Sequence, residues 1–253
     1  MLEFRELSAC YGSRRVLDQV SFSIQPNRLT VLVGCNGSGK STLFSCVNQQ
    51  LPYTGKILLD GENLAQYKPR ERAKRLSMLP QTMAAPHILA AELAAMGRTP
   101  YLDLTGRLQD ADRAAVTQAL EDANALELRE RYVDTLSGGE RQRAYLAMVL
   151  AQNTPLILLD EPTSHMDQTR EAAFLRQISH LKSERGKTFL LILHDITLAA
   201  EYADDIVILH EGRIRFAGTK ADCLRAQALE TTFGLRRYRV DDGQSVRDFF
   251  TAK

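Results

Sequence analysis

Net charge is almost absent from this 253-residue sequence: Lys and Arg number 32 against 31 Asp and Glu, a formal balance of +1 at pH 7. A chain so balanced casts no long-range field to gather nucleic acid or an anionic membrane, so its partners must be met through local features. Long apolar runs are missing as well. Stretches such as 189–193 fall far short of the roughly 20 residues needed to span a bilayer. Residues 1–5 lack the basic region and long apolar stretch of an export leader. The expectation is a chain neither exported nor inserted. Cysteine is sparse, and Cys10, Cys35, Cys46 and Cys223 match neither the spacing of a zinc site or thioredoxin-like pair nor a secreted disulfide framework, so reduced thiols are expected. No internal repeat, low-complexity tract or linker interrupts the chain. The one dense basic run, Lys68, Arg70, Arg72, Lys74 and Arg75 with Glu71 among them, reads as a solvated helix face.

What is present is ordinary globular composition, 44% hydrophobic and 25% charged. Short apolar runs at 29–33, 76–79, 156–159, 188–193 and 206–209 alternate with helical segments, which predicts an α/β domain containing parallel strands. Hairpin-like pieces at 57–61 and 207–216, the second bending at Glu211-Gly212, add antiparallel strands, so the sheet is expected to be mixed. The stretch 82–135 offers no convincing strand and reads as a helical insertion. Within it Asp110 is placed to cap a helix whose Val116, Leu120 and Ala123 share one face. Phe174, Ile178 and Leu181 make a second such stripe, ended by Gly186.

The chemistry is concentrated where the strand 29–33 runs into Gly34-Cys35-Asn36-Gly37-Ser38-Gly39-Lys40-Ser41-Thr42 and then a helix-compatible segment. Strand, glycine-rich loop and helix start together let backbone N–H groups turn inward around phosphates, aided by the positive end of the helix dipole. In such a loop Lys40 reaches the β and γ phosphates and Ser41 completes the shell of a Mg²⁺ ion. Two glycines, a lysine and a Ser or Thr at this spacing arise by chance on the order of once in a hundred chains this long. Downstream, the strand 156–159 ends in Asp160-Glu161-Pro162. A carboxylate at such a strand tip suits Mg²⁺, a role assigned to Asp160, and Glu161 is then placed to orient and deprotonate an attacking water.

Leu136-Ser137-Gly138-Gly139-Glu140, followed by the helix-forming 141–147, resembles the signature motif of ATP-binding cassette ATPases. The resemblance extends over nearly the whole chain. Tyr11 is similar to the aromatic residue that stacks on adenine. Gln81 is similar to the glutamine that contacts Mg²⁺ and senses a transmembrane partner. Ser164-His165-Met166-Asp167 resembles the loop that crosses the dimer interface, and His194 the switch histidine on the γ phosphate. The resemblance implies a P-loop NTPase (RecA-like) core with a mixed sheet, an antiparallel β subdomain and a helical insertion. Its expected boundaries are 1–81 and 152–220 for the core, 82–151 for the helical signature subdomain and 221–253 for a C-terminal tail. Implied nucleotide ligands are Tyr11, Gly34, Asn36, Gly37, Ser38, Gly39, Lys40, Ser41 and Thr42, joined by Ser137, Gly138 and Gly139 acting on the ATP held by another subunit. Mg²⁺ falls to Ser41, Gln81 and Asp160, and catalysis to Glu161, His194, Lys40, Gln81, Ser137 and Asp167. The implied partners are a second copy of the chain, polytopic transmembrane permease subunits and, indirectly, a substrate-binding protein. The implied location is the cytoplasmic face of the bacterial inner membrane.

Several residues depart from the family pattern. Met166 stands where Leu is common, a swap of similar volume; His165 is given no catalytic role. The turn Pro26-Asn27-Arg28 lacks the usual Gly-Glu pair, which leaves that turn's geometry open. Within the family, residues 96–101, Gly106-Arg107 and 146–152 resemble importers of iron-siderophore, haem or cobalamin complexes. Importers of other cargo, and the cassette ATPases of iron-sulfur assembly or DNA repair, share the nucleotide motifs. Two points stay open between alternatives. Cys35, inside the loop, is either a reactive thiol or a small buried filler. Phe233, Tyr238, Phe249 and Phe250 pack on the chain's own core, the blander expectation, or on a second subunit.

Overall fold

Residues of the computed structural model are described throughout except Leu104, His165, Asp242, Gln244 and Ser245, so His165 lies outside the described residues. In chain order the elements are β1 (Leu2–Tyr11), β2 (Arg14–Ile24), β3 (Leu29–Val33), α1 (Lys40–Val47), β4 (Tyr53–Leu59), β5 (Glu62–Asn63), α2 (Pro69–Ala73), β6 (Leu76–Leu79), α3 (Ala90–Met96), α4 (Asp110–Asp122), α5 (Gly138–Ala151), β7 (Leu156–Leu159), α6 (Gln168–Arg185), β8 (Thr188–Ile192), α7 (Ile196–Tyr202), β9 (Asp205–His210), β10 (Arg213–Thr219), α8 (Lys220–Arg225), α9 (Ala228–Phe233), β11 (Leu235–Asp241) and β12 (Val246–Ala252). They form two compact units, 1–66 with 188–253, and 67–187.

In the first unit β3 pairs in parallel with both β8 and β9, and β10 returns antiparallel to β9. The sheet is therefore mixed, as expected. Every residue of β3 and β8 is buried, which is why these strands read as nearly continuous apolar runs, with only Thr30 and Thr188 polar. The β9–β10 bend falls at Glu211 and Gly212, both with positive φ (49° and 74°), the backbone a tight hairpin turn requires. A second sheet, ordered β2-β1-β4-β5, is antiparallel. The sequence pattern found only its 57–61 piece. The buried side chains of β1 are Leu2 and Phe4, then Leu7 and Ala9; those of β2 are Leu17, then Val20, Phe22 and Ile24. Bulges at Glu6 and Gln19, each with φ 50°, shift the phase of both strands and erase the period-two signal. Each bulge is pinned to a serine of the other strand: Glu6 N donates to Ser21 Oγ at 2.8 Å and Gln19 N to Ser8 Oγ at 2.9 Å.

The turn 26–28 closes without a glycine because Asn27 takes the left-handed conformation, φ 56°, which Asn tolerates better than most residues. Asn27 N donates to Thr188 Oγ1 at 2.9 Å, and Arg28 Nη2 reaches Asp205 Oδ1 at 2.9 Å. The tail folds as α8, α9 and the β11–β12 hairpin, and its aromatics divide. Phe233 sets its ring edge on His210, centroids 6.5 Å apart, and Phe250 N donates to Thr197 Oγ1 at 3.2 Å. Tyr238 and Phe249, paired across the hairpin, face outward, 50% and 41% exposed.

The second unit packs helices beside the parallel pair β6 and β7. Among the described residues 82–135 holds no strand, only an isolated bridge between Leu89 and Tyr132. Helix α4 starts at Asp110, so the residue just outside it is Gln109, one earlier than the sequence suggested. Asp112 Oδ2 accepts from Gln109 N, 3.1 Å, and it is this reach-back that closes the first turn. Val116, Leu120 and Ala123 are buried as expected, and Gly186 (φ 60°) ends α6. The basic run around α2 is mostly solvent-facing, but Arg70 also clamps the backbone carbonyls of Pro100 and Leu102.

The segment 97–101 locks the C-terminal end of α5. Arg98 and Asp112, their side chains only 10% and 9% exposed, form an ion pair at 2.9 Å. Arg98 Nη1 also donates to Ala151 O at 2.8 Å, its guanidinium lies 3.9 Å from the Tyr101 ring centroid, and Tyr101 OH donates to Gln152 O at 3.0 Å. A Cβ on Gly97 would sit 2.1 Å from Met148 O. Gly97→Ala is therefore expected to lower stability by about 1–3 kcal/mol, the usual penalty for overpacking, measured as a lower urea midpoint at unchanged slope.

Candidate functional site

In the first unit, β3 delivers the loop 34–39 and α1 receives it. Two glycines are required there by space. A Cβ on Gly34 would lie 2.3 Å from Leu209 O, and one on Gly39 would lie 2.7 Å from Leu17 Cδ2. Gly39 also holds φ 108° as the residue before α1, a conformation side chains resist. Gly212 N donates to Ser38 O at 3.1 Å and Asp18 N to Gly212 O at 2.9 Å, so the β9–β10 bend clasps the loop to β2. Lys40, 5% exposed, lies across the loop with Nζ donating to Gly34 O at 2.8 Å and Cys35 O at 3.2 Å. Ser38 is 4% exposed, and its hydroxyl has no hydrogen-bond partner among the described residues. A buried cation, an unpartnered buried hydroxyl and a helix start with no side-chain cap together fit an anion such as a nucleotide phosphate.

The other predicted residues of this unit lie at element ends. Tyr11 closes β1 before the bend at Gly12 and is 53% exposed, a free aromatic face for stacking. His194 follows β8 and is exposed. The next residue, Asp195, caps α7 by accepting from Leu198 N at 3.0 Å.

In the second unit, Gln81, Glu161, Gly138 and Gly139 line one cavity of about 480 Å³. Gln81 Nε2 donates to Glu161 Oε2 at 2.5 Å. Glu161 holds φ 47°, a left-handed conformation that is costly for a residue with a side chain and that aims the carboxylate off the end of β7. Asp160 before it is 9% exposed, and a buried carboxylate is a hard oxygen donor of the kind Mg²⁺ prefers. Met166 N donates to Thr163 O at 3.0 Å, and Asp167 caps α6 by accepting from Arg170 N at 2.9 Å.

Ser137 is the N-cap of α5, and Gly138 and Gly139 supply its first two N–H groups, which have no intrahelical acceptor. No atom lies within 4 Å of the space a Gly138 Cβ would take, so that helix end is open. Two participants were not assigned a role from sequence. Glu140 Oε2 accepts from Ser137 N at 2.9 Å and from Ser137 Oγ at 2.8 Å, while Arg131 Nη1 donates to Oε1 at 2.5 Å. The Ser137 donors, together with Arg131, hold the Glu140 carboxyl down at about 2. The Ser-x-x-Glu spacing was a legible signal for the first of these contacts; Arg131 left none.

The thiols divide by exposure. Cys10 and Cys35 are exposed and Cys46 and Cys223 are buried, so Cys35 is not a buried filler. Burial pushes the Cys46 thiol up to about 11 and Cys223 up to about 12, which keeps both as unreactive thiols. Maleimide labelling of the native protein at neutral pH, read by mass spectrometry, is expected to modify Cys10 and Cys35 and to reach Cys46 and Cys223 only after denaturation. Mg-ATP is expected to shield Cys35.

Known proteins share both the sequence and the fold. The sequence profile of the ABC transporter family matches residues 17–164. The chain is 38% identical over 243 residues to the Escherichia coli (strain K12) ferric enterobactin transport ATP-binding protein FepC, covering 95% of this chain and 90% of the relative. It is 40% identical over 245 residues to the Myxococcus xanthus (strain DK1622) hemin import ATP-binding protein HmuV, covering 93% and 90%. Among solved structures, a chain of an ABC transporter in an inward-facing conformation superposes with a TM-score of 0.85 over 99% of this chain and 96% of its own, at 24% identity, which speaks for the fold. With its phosphate loop, its signature helix and its matched length, the chain belongs to the ABC transporter family, as an ATP-binding subunit with ATPase activity.

Proposed function

We propose that this chain hydrolyses Mg-ATP as a dimer of two copies to drive uptake of a metal chelate, of the iron-siderophore, haem or cobalamin type, through a separate membrane permease. The observation that carries the ATP reading is the loop 34–39, with Lys40 laid across it and the Ser38 hydroxyl left unpartnered at the start of α1. Support for the cargo class comes from the relatives, whose names specify ferric enterobactin transport and hemin import. They favour import over the iron-sulfur assembly and repair alternatives. No helix among the described residues is long and apolar enough to cross a membrane, so the translocation path is assigned to partner subunits. We place the chain at the cytoplasmic face of the cell membrane, with a substrate-binding protein feeding the permease.

In this reading Tyr11 stacks on adenine, and Gly34, Asn36, Gly37, Ser38, Gly39 and Thr42 surround the phosphates. Lys40 exchanges the loop carbonyls it holds for β and γ oxygens. Ser41, Gln81 and Asp160 would hold Mg²⁺, which would offset the charge on the phosphates. Glu161 orients the attacking water and takes its proton, and its hydrogen bond from Gln81 ties that carboxylate to the loop assigned to sense the permease. His194 contacts the γ phosphate. Ser137, Gly138 and Gly139 donate to the γ phosphate of the nucleotide held by the other copy, with Asp167 beside them at the crossing loop. Loss of that phosphate on hydrolysis releases the dimer.

Three substitutions test the assignment. Glu161→Gln keeps shape but cannot accept a proton, so turnover is expected to fall by about 100-fold or more, with an ATP-bound dimer accumulating in light scattering. Lys40→Ala is expected to lose ATP affinity itself. Ser137→Arg is expected to bind ATP as a monomer yet fail to dimerise, because the cation fills the place of the incoming γ phosphate; normal hydrolysis by this variant overturns the shared site.

A further inference from the structure

Ser137 has a single hydroxyl proton, and it is directed inward. Oγ donates to Glu140 Oε2, and Ser137 N donates to the same oxygen. Beside the open N–H groups of Gly138 and Gly139 there is thus a carboxylate, anionic at any working pH, that both holds the serine proton and repels an approaching phosphate. As a first-turn acid it also stabilises α5. One element thereby serves the helix and opposes the ligand.

Arg131 is the countercharge, bonded to the other carboxylate oxygen, Oε1. Its backbone is held in a short ribbon between 87–91 and 129–134. Ala90 N donates to Arg131 O at 2.9 Å, Ala91 N to Arg129 O at 3.1 Å and Val133 N to Ile88 O at 2.9 Å. At the ribbon's end the His87 ring stacks on Tyr132 with centroids 4.2 Å apart, and His87 Nδ1 lies 2.8 Å from Asp134 Oδ2. The ribbon joins the segment that follows Gln81 to the segment that runs into Ser137. The ribbon thus fixes the backbone position of Arg131, and with it the countercharge at Glu140.

We propose that Arg131 and Glu140 are positioning residues for the phosphate contact of Ser137. With Arg131 seated on Oε1, as here, the charge of the carboxylate is offset, so the γ phosphate of the second copy's ATP competes with Oε2 for the Ser137 hydroxyl and takes it. With Arg131 drawn away, Glu140 retains the hydroxyl and opposes closure. The inference rests on the reading that Ser137 meets a nucleotide held by another copy, and its test separates the two.

Glu140→Gln keeps a carbonyl oxygen able to accept both Ser137 donors, so the cap survives while the charge is lost. In the Glu161→Gln background, the ATP concentration for half-maximal dimerisation is read by light scattering, alongside the melting temperature. Glu140→Gln is expected to lower that concentration by about 5–10-fold and Arg131→Ala to raise it by about as much, a shift of the size found for close charge pairs. The Arg131→Ala/Glu140→Gln pair is expected to match Glu140→Gln alone, since Arg131 then has no charge to offset. The Arg131→Ala deficit is expected to shrink as salt screens the carboxylate. Arg131→Gln, closer in shape, repeats the measurement where Arg131→Ala folds poorly. Shifts in melting temperature with an unchanged half-maximal concentration, or strictly additive effects in the pair, overturn the proposal. If Ser137→Arg still dimerises with ATP, the shared-site reading fails first; if it does not dimerise while the Arg131 and Glu140 variants match the parent, the positioning role alone fails.

Discussion

A loop that binds phosphate through its main chain must bring that main chain closer to its surroundings than side chains permit. At Gly34 and Gly39 this protein meets the constraint with backbone set against Leu209 O and the Leu17 side chain. The walls come from elsewhere in the unit: β2 beneath the loop and the β9–β10 bend, whose Gly212 bonds to Ser38 O on one side and takes Asp18 N on the other. Asp18 in turn holds Arg213 at 2.5 Å and Arg15 at 2.9 Å. The antiparallel sheet and the hairpin are therefore parts of the frame that fixes the loop. A loop fixed by its own surroundings has less freedom to lose when it is engaged.

The 67–187 unit solves a different problem. The N-terminal end of α5 is open at Gly138, and the helix is fixed at its other end. Arg98 supplies a cation and a donor to Ala151 O, where the helix dipole is negative and the last carbonyls lack partners. Gly97 lets the neighbouring backbone lie against Met148, and Gln152 bonds to Ala73 O and Leu76 O. The segment 96–101, whose sequence resembles that of certain importers, is physically the clamp on α5.

How much could be read in advance varied with how local the signal was. The strands β3, β6 and β7 were legible to the residue because both faces are largely buried, and the only polar residues in the runs, Thr30 and Ser77, are small and buried with the rest. The phosphate loop, the acids at 160 and 161 and the Ser137 cap follow from fixed spacing over a few positions. β1 and β2 escaped because their alternation changes phase at Glu6 and Gln19, and a bulge is a property of two strands together. The hairpin β11–β12 escaped because Arg236, Arg237, Arg239 and Arg247 dilute its apolar pattern; Arg237 finds Asp248 at 2.8 Å only after folding. The turn at 26–28 lacked the family's glycine, yet Asn27 takes a left-handed conformation there.

The sequence by itself determined the chemistry: which residues can surround a phosphate, which carboxylates stand at a strand tip and which serine starts a helix, since each depends on neighbours a few positions apart. Tertiary structure alone decided which of these groups are already engaged. That Lys40 rests on its own loop carbonyls, that Gln81 grips Glu161 across 80 positions and that Arg131 answers the charge of Glu140 are facts of distance between segments. Hydrogen bonds and charge pairs act over a few ångströms, and only the folded chain brings those segments within that range.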